Sequence, residues 1–304
     1  MNSMSKMILI PELGIFCGEA LKQTSPPKPD SLGSQMQSTL VPPLSHSGAE
    51  IEAYGQTLPK DDVGGDLMDL VASGDHLTAY VADVSGHGFR AGILMGMLKT
   101  AVRYGLLLDQ PLTRLLDDLN RVLPSVKEPH MFATLAALRF NNSGVAEYAS
   151  AGHVPLLHYR HSTGEVARYC VPQLPLGLIA GDAYTSTKIA YAPGDIFAIV
   201  TDGVLERGKD PDPDSGLDRI ASLLRNNAEA SLPELTQLIC ADLGHRTKQR
   251  DDETVLLLRT HEQDKTNTEA AHTISEREFA KSTDALETTW RRLLDDLADE
   301  LSDK

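Results

Sequence analysis

From Ile51 onward the chain breaks into strand-sized apolar runs that follow one another directly, and that succession most limits the fold. The runs are Ile51–Leu58, Leu67–Ala72 and Leu77–Val84, then Phe132–Phe140, Val145–Ser150, Leu156–Tyr159, Val166–Val171, Thr185–Tyr191 and Asp195–Thr201. A parallel pair needs a crossover of a dozen or more residues, whereas strands this closely spaced pair as antiparallel neighbours. Helical segments come in pairs. Gly88 to Leu108 is apolar along much of its length. An amphipathic stretch follows, opened by Pro111 and carrying Leu112, Leu115, Leu116, Leu119, Val122 and Leu123 at helical spacing. Leu217–Asn226 and Leu232–Leu243 make the second pair, ahead of a last strand at Thr254–Arg259. This order argues against βαβ winding. It predicts a mixed α/β (α+β) fold, an αββα sandwich of two mainly antiparallel β-sheets flanked by pairs of helices.

Three regions follow from composition. Residues 1–48 are an N-terminal segment with the stiff linker Ser25-Pro26-Pro27-Lys28-Pro29, a short helix after residue 31, and a loop through Pro42-Pro43 and Ser45-His46-Ser47-Gly48. Residues 49–260 hold the sandwich. Residues 261–304 are a polar linker and a helix opened by the capping box Ser275-x-x-Glu278, with Phe279, Leu286, Trp290, Leu293, Leu297 and Leu301 on one stripe. That stripe either packs on its own domain or serves as a homodimer or regulator docking helix. The net charge of −15 opposes nucleic-acid and anionic-membrane partners. Cys17, Cys170 and Cys240 are odd in number and widely spaced, which fits a reducing cytoplasm. The apolar run Met7–Ile10 stops at Pro11 and is too short for a signal-peptide core or a membrane span, so a soluble, cytoplasmic protein is expected.

Four aspartates stand at strand edges beside residues that tighten the backbone. Asp66 lies in Val63-Gly64-Gly65-Asp66, and Asp83 ends Tyr80-Val81-Ala82 and begins Asp83-Val84-Ser85-Gly86-His87-Gly88. Asp202 ends Ile199-Val200-Thr201 and precedes Gly203, and Asp251 opens Asp251-Asp252-Glu253-Thr254. One Asp in a turn is ordinary turn chemistry. Four brought within several ångströms are not, because each close pair costs about 4 kcal/mol at an effective dielectric near 20. Protonation or cations relieve such repulsion, and two divalent ions would balance four carboxylates. No His/Cys cluster accompanies them, so the donors are hard oxygens suited to Mg²⁺ or Mn²⁺.

VGGD, ADVSGHG, TDG and DDET, in this order, resemble the metal-dependent protein phosphatases (PPM, or type 2C), in their bacterial SpoIIE/RsbU branch. Met131-Phe132-Ala133-Thr134-Leu135, Ser150-Ala151-Gly152-His153-Val154-Pro155, Pro175-Leu176-Gly177-Leu178 and Pro193-Gly194-Asp195 resemble it too. Gln35 to Pro43 is similar to the connector that precedes the domain in that family. The resemblance implies a serine/threonine phosphoprotein phosphatase using water activated by two divalent cations, Mn²⁺ or Mg²⁺. Asp66 and Asp83 would be catalytic and would contact the dinuclear centre, with the Val84 carbonyl as a further ligand and Asp202 and Asp251 completing the second metal's shell. Asp69, His87 and Asp252 would stand behind these ligands or serve the backbone, and Asp251 is favoured over Asp252 as the ligand. His153 reads as structural. The Arg with which eukaryotic members hold the substrate phosphate has no counterpart before Asp66. The implied substrate is a phosphorylated STAS-like anti-sigma factor antagonist in a partner-switching pathway. Fewer than fifty residues precede the domain, too few for a sensor domain, so control would come from another protein, dimerisation or the C-terminal helix. The alternative is a catalytically weak phosphoprotein-binding or scaffold relative.

Overall fold

The computed structural model describes residues 31–262, apart from 142, 180, 182, 207–212 and 243–248. The expected helix at Phe279–Leu301 and the linker at Ser25–Pro29 lie outside the described residues. Helix α1 (Leu32–Leu40) opens the described chain, followed by β1 (Leu44–Ser47), β2 (Ile51–Leu58), β3 (Leu67–Ser73) and β4 (His76–Val84). Helices α2 (Phe89–Leu107) and α3 (Leu112–Val122) come next. Strands β5 (Ala133–Phe140), β6 (Val145–Ala151), β7 (Leu156–Arg160), β8 (Glu165–Tyr169), β9 (Ser186–Ala190) and β10 (Ile196–Val200) then run on. Three helices, α4 (Asp202–Leu205), α5 (Pro213–Asn226) and α6 (Leu232–Asp242), precede the last strand, β11 (Glu253–Thr260).

The strands form one sheet in the order β1-β2-β11-β10-β7-β8 and another in the order β3-β4-β5-β6-β9. Every strand pair within them is antiparallel. The near-continuous apolar runs arise because both faces of the central strands are covered. In β10, Ile196, Ala198 and Val200 join Leu217, Ile220, Leu224, Leu232, Leu235 and Ile239 of α5 and α6 in one apolar cluster. Phe197 and Ile199, of the opposite parity, belong to the core between the sheets. There the Phe140 ring meets Tyr191 and Phe197 edge-on, with centroids 5.4 Å and 5.7 Å away. On the other side α2 buries Ala91, Leu94, Met95, Leu98, Val102 and Leu106, an i, i+3, i+4, i+7 stripe. Helix α3 does the same with Leu112, Leu115, Leu116 and Leu119.

The structure departs from the sequence expectation in two places. Leu44–Ser47 is a strand rather than a loop, paired with Glu52–Gly55 at the edge of the six-stranded sheet. Its alternating half-exposed pattern and preceding Pro42-Pro43 disguise it as a turn. Asp202–Leu205 forms a single helical turn that four residues of sequence could not announce. Among the described residues no helix is long and apolar enough to cross a membrane.

Candidate metal centre

Register alone brings the aspartates to one end of each sheet. Leu67 pairs with Ala82 and Asp83 with Thr134, so Asp66, Asp83 and the start of β5 share an edge of the five-stranded sheet. In the other sheet Val200 pairs with Val255, and Glu253 with Leu58, which places Asp202 and Asp251 at the end of β10 and the start of β11. Hydrogen bonds then join the two edges. Thr201 donates its hydroxyl to Asp66 Oδ2 at 2.8 Å, and the Thr254 hydroxyl lies 2.7 Å from the same oxygen. The Thr254 amide donates to Thr201 Oγ1 at 2.9 Å, locking the pair. Asp66 itself is only 1% exposed.

The carboxylates oppose one another's ionisation. Burial, then the charges of Asp202, Asp251 and Asp252, push the Asp83 carboxyl up to about 8. Burial and Asp83 raise Asp66 well above the carboxylate range, against the lowering effect of the two threonine hydroxyls. Asp202 is raised by burial, Asp251 and Glu206. Asp66, Asp83, Asp202, Asp251 and Asp252 thus meet where the ends of the two sheets come together, and a cation there would relieve their mutual repulsion. Among the described residues, however, no three His, Cys, Asp or Glu side chains are gathered tightly enough to hold an ion unaided. The cluster is acidic and convergent, but open.

Backbone supplies the rest. Gly65 lies so close to strand β4 that a Cβ there would stand 2.5 Å from the Val84 carbonyl oxygen. Only glycine fits here, because any side chain would collide with that carbonyl. Gly203 is equally hemmed in, since a Cβ there would meet the Asp252 carbonyl oxygen at 2.0 Å, so the turn after β10 can pack against the start of β11 only without a side chain.

The remaining candidates separate clearly. Asp252, 3% exposed, accepts from the Lys60 and Gly65 amides with its two oxygens, both at 2.7 Å, and so ties the 60–65 loop to β11. Burial raises its carboxyl against these hydrogen bonds. Asp251 caps the Asp252 amide through Oδ1 at 2.9 Å and remains partly exposed beside Asp83 and Asp202. Asp69 stands on the opposite side of β3 from Asp66, accepting from Tyr80 at 3.2 Å and pairing with Arg103 at 3.3 Å and Lys99 at 3.6 Å. Its partners hold α2 on the sheet and face away from the acidic cluster, so only the structural half of its expected role fits. His87 donates from Nδ1 to Asp61 Oδ2 at 2.5 Å, and both side chains are about half exposed. His153 is buried with Nε2 donating to the Val200 carbonyl at 3.0 Å and Nδ1 2.7 Å from the Thr134 hydroxyl. The sequence does not single out Thr201 and Thr254, although Thr201 opens the TDG motif beside Asp202 and Thr254 closes DDET after Glu253.

Known proteins resemble the chain in sequence and in fold. Phosphoserine phosphatase RsbU of Bacillus subtilis is 25% identical over 176 residues, spanning 58% of this chain and 52% of that protein. The chain thus aligns with about half the length of that relative. The structure of the RsbU and RsbW domains of a Mycobacterium tuberculosis protein superposes with a TM-score of 0.64 at 24% identity, covering 80% of this chain and 70% of that one. The catalytic domain of the serine/threonine protein phosphatase PstP, bound to two manganese ions, gives 0.52 at 17% identity, covering 70% and 99%. These neighbours share the two-sheet type 2C phosphatase fold. The family described as Stage II sporulation protein E (SpoIIE) matches residues 73–261, well over half of the sequence, and the chain belongs to that family.

Proposed function

We propose that the protein is a metal-dependent phosphatase that removes phosphate from phosphoserine or phosphothreonine on a regulatory protein in the cytoplasm. The observation that supports this reading is the convergence of Asp66, Asp83, Asp202 and Asp251 from the ends of both sheets, tied together through Thr201 and Thr254, where burial and then the charges of Asp202, Asp251 and Asp252 push the Asp83 carboxyl up to about 8. An all-oxygen donor set of carboxylates and the Val84 carbonyl suits a hard divalent cation, Mn²⁺ or Mg²⁺. Asp66, Asp83, Val84, Asp202 and Asp251 would hold the ions. Bound there, two such cations would supply Lewis-acid activation of water and charge neutralisation for the phosphoryl group.

The chain's own residues prepare that chemistry. Thr201 and Thr254 fix Asp66 Oδ2, which would leave the other oxygen for a cation. Asp252 keeps the 60–65 loop against β11 and leaves Asp251 to serve the ions. RsbU, the B. subtilis relative, is named a phosphoserine phosphatase, and one structural neighbour carries an RsbW domain beside its RsbU domain. Both support a phosphorylated STAS-like antagonist as substrate. The open arrangement of the donors is the one observation that favours a binding-only scaffold instead.

Phosphate release from a phosphorylated STAS protein, with and without Mn²⁺, separates the two. Turnover should require the metal, and Asp83→Ala and Asp202→Ala should each reduce it at least a hundredfold while the protein still unfolds cooperatively. Near-normal turnover in either variant at saturating Mn²⁺ would remove the ligand assignment.

A further inference from the structure

Helix α1 lies ahead of the residues matched by the family, as does the loop that carries Asp66. Its one buried side chain is Gln37, 5% exposed. Gln37 Oε1 accepts from the Gly64 amide at 3.1 Å, while its Nε2 is buried without a partner among the described residues. A buried amide with one end unsatisfied is destabilising. Packing alone would be better served here by Leu or Met. What Gln37 provides in return is an acceptor for a buried amide two residues from Asp66.

The loop is held from several sides: on the α1 side the Ser34 hydroxyl also donates to Asp62 Oδ1 at 3.4 Å, and the Gly65 carbonyl accepts from the Val84 amide at 3.3 Å. Asp252 accepts from Lys60 and Gly65, leaving the Gly64 amide to α1. The Gly64-Gly65 peptide is thus held between a helix above and a strand below, and neither glycine supplies side-chain restraint of its own. The helix is itself fixed at both ends. Ser31 caps its first turn by accepting from the Ser34 amide at 3.1 Å, and Lys99 of α2 donates to the Leu40 carbonyl at 2.6 Å. The same Lys99 pairs with Asp69 on β3, three residues beyond Asp66.

We propose that Gln37 is a positioning residue for the metal centre: through the Gly64 amide it sets the Gly64-Gly65 turn, and with it the Asp66 carboxylate and the clearance over the Val84 carbonyl. Helix α1 is therefore part of the site's frame, and any displacement of α1 alters the ligand geometry before it alters the fold. The inference rests on the proposed function, because it presumes that divalent cations bind at Asp66.

Calorimetric titration of Mn²⁺ into the full chain and into Gln37→Met tests it, with chemical unfolding of both proteins in chelator as the parallel measurement. Gln37→Met keeps the length of the side chain and removes the acceptor. Its Mn²⁺ affinity should fall about tenfold or more, as for other residues that orient metal ligands, while its metal-free unfolding midpoint stays near that of the parent. Equal affinity in the two proteins would overturn the proposal, as would a loss of metal-free stability with no loss of affinity. Should Gln37→Met fail to fold, Gln37→Asn takes its place with the same expectation, because it withdraws the amide by one methylene. A parent chain that takes up no Mn²⁺ would overturn the functional reading and this inference together, which distinguishes that failure from a Gln37 that is merely structural.

Discussion

Asp251 and Asp252 are neighbours in sequence with opposite duties. Both oxygens of Asp252 are taken by backbone amides of the 60–65 loop, so replacing one with an amide nitrogen sets a donor against a donor. Asp252→Asn should therefore cost about 1–3 kcal/mol in metal-free chemical unfolding. Among the described residues Asp251 accepts from the next amide alone, and it adds repulsion to Asp83 and Asp202. Asp251→Asn should leave metal-free stability unchanged or slightly raised and weaken Mn²⁺ binding, read by calorimetry on the same samples. Reversed behaviour of the two variants would interchange their roles. The sequence could rank them but could not separate them, because the distinction lies in amides about 190 residues away. Asp69 shows the same limit from the other direction. Its spacing from Asp66 looks like a shared motif, yet the odd offset of three puts it on the other face of a period-two strand.

At the scale of elements, the strands and the two helix pairs were legible, because both faces of β10 and β11 are covered and their apolar runs are unbroken. What was not legible was the edge: β1 is short, half-exposed and preceded by two prolines, so its strand character comes from pairing rather than composition. Nor could periodicity reveal the device that ties the sheets together at the acidic end. His153, in the turn after β6, bonds the Thr134 hydroxyl of β5 and the Val200 carbonyl of β10, bridging one sheet to the other. Donating to a carbonyl and accepting from a hydroxyl requires the neutral ring, and burial lowers its pKa from 6.5 to about 4. The unfolded chain therefore takes up the proton first as pH falls. The contribution is intact above pH 6.5, declines through 6.5 to about 4, and amounts to about 3 kcal/mol at most when fully lost. In urea unfolding, His153→Gln, which retains a donor toward Val200, should be less stable than the parent at pH 7.5, and the gap should narrow toward pH 4.5. A gap that is constant across this range would mean the ring is not a neutral clamp.

Across the whole molecule the acidic balance bears on one place more than on the surface at large. A net charge of −15 spread over solvent-exposed side chains is screened within about 10 Å at 0.1 M salt. The buried group around Asp66 and Asp83 is not, and its repulsion persists in the metal-free protein. Divalent and monovalent salt should therefore act differently on the same chain. Mn²⁺ at a hundredfold excess over its dissociation constant stabilises by about 2.7 kcal/mol per site, or roughly 5–10 °C in melting midpoint for a domain of this size. KCl at matched ionic strength should give a much smaller shift. Asp83→Asn removes one of the opposed carboxyls, so its midpoint in chelator should rise above that of the parent while the Mn²⁺ increment shrinks. The combination matters more than either shift alone. A rise in chelator with an undiminished Mn²⁺ increment would put the cation elsewhere. No response to Mn²⁺ at all would mean that this sheet end settles its charge with protons, and the catalytic reading would fall with it.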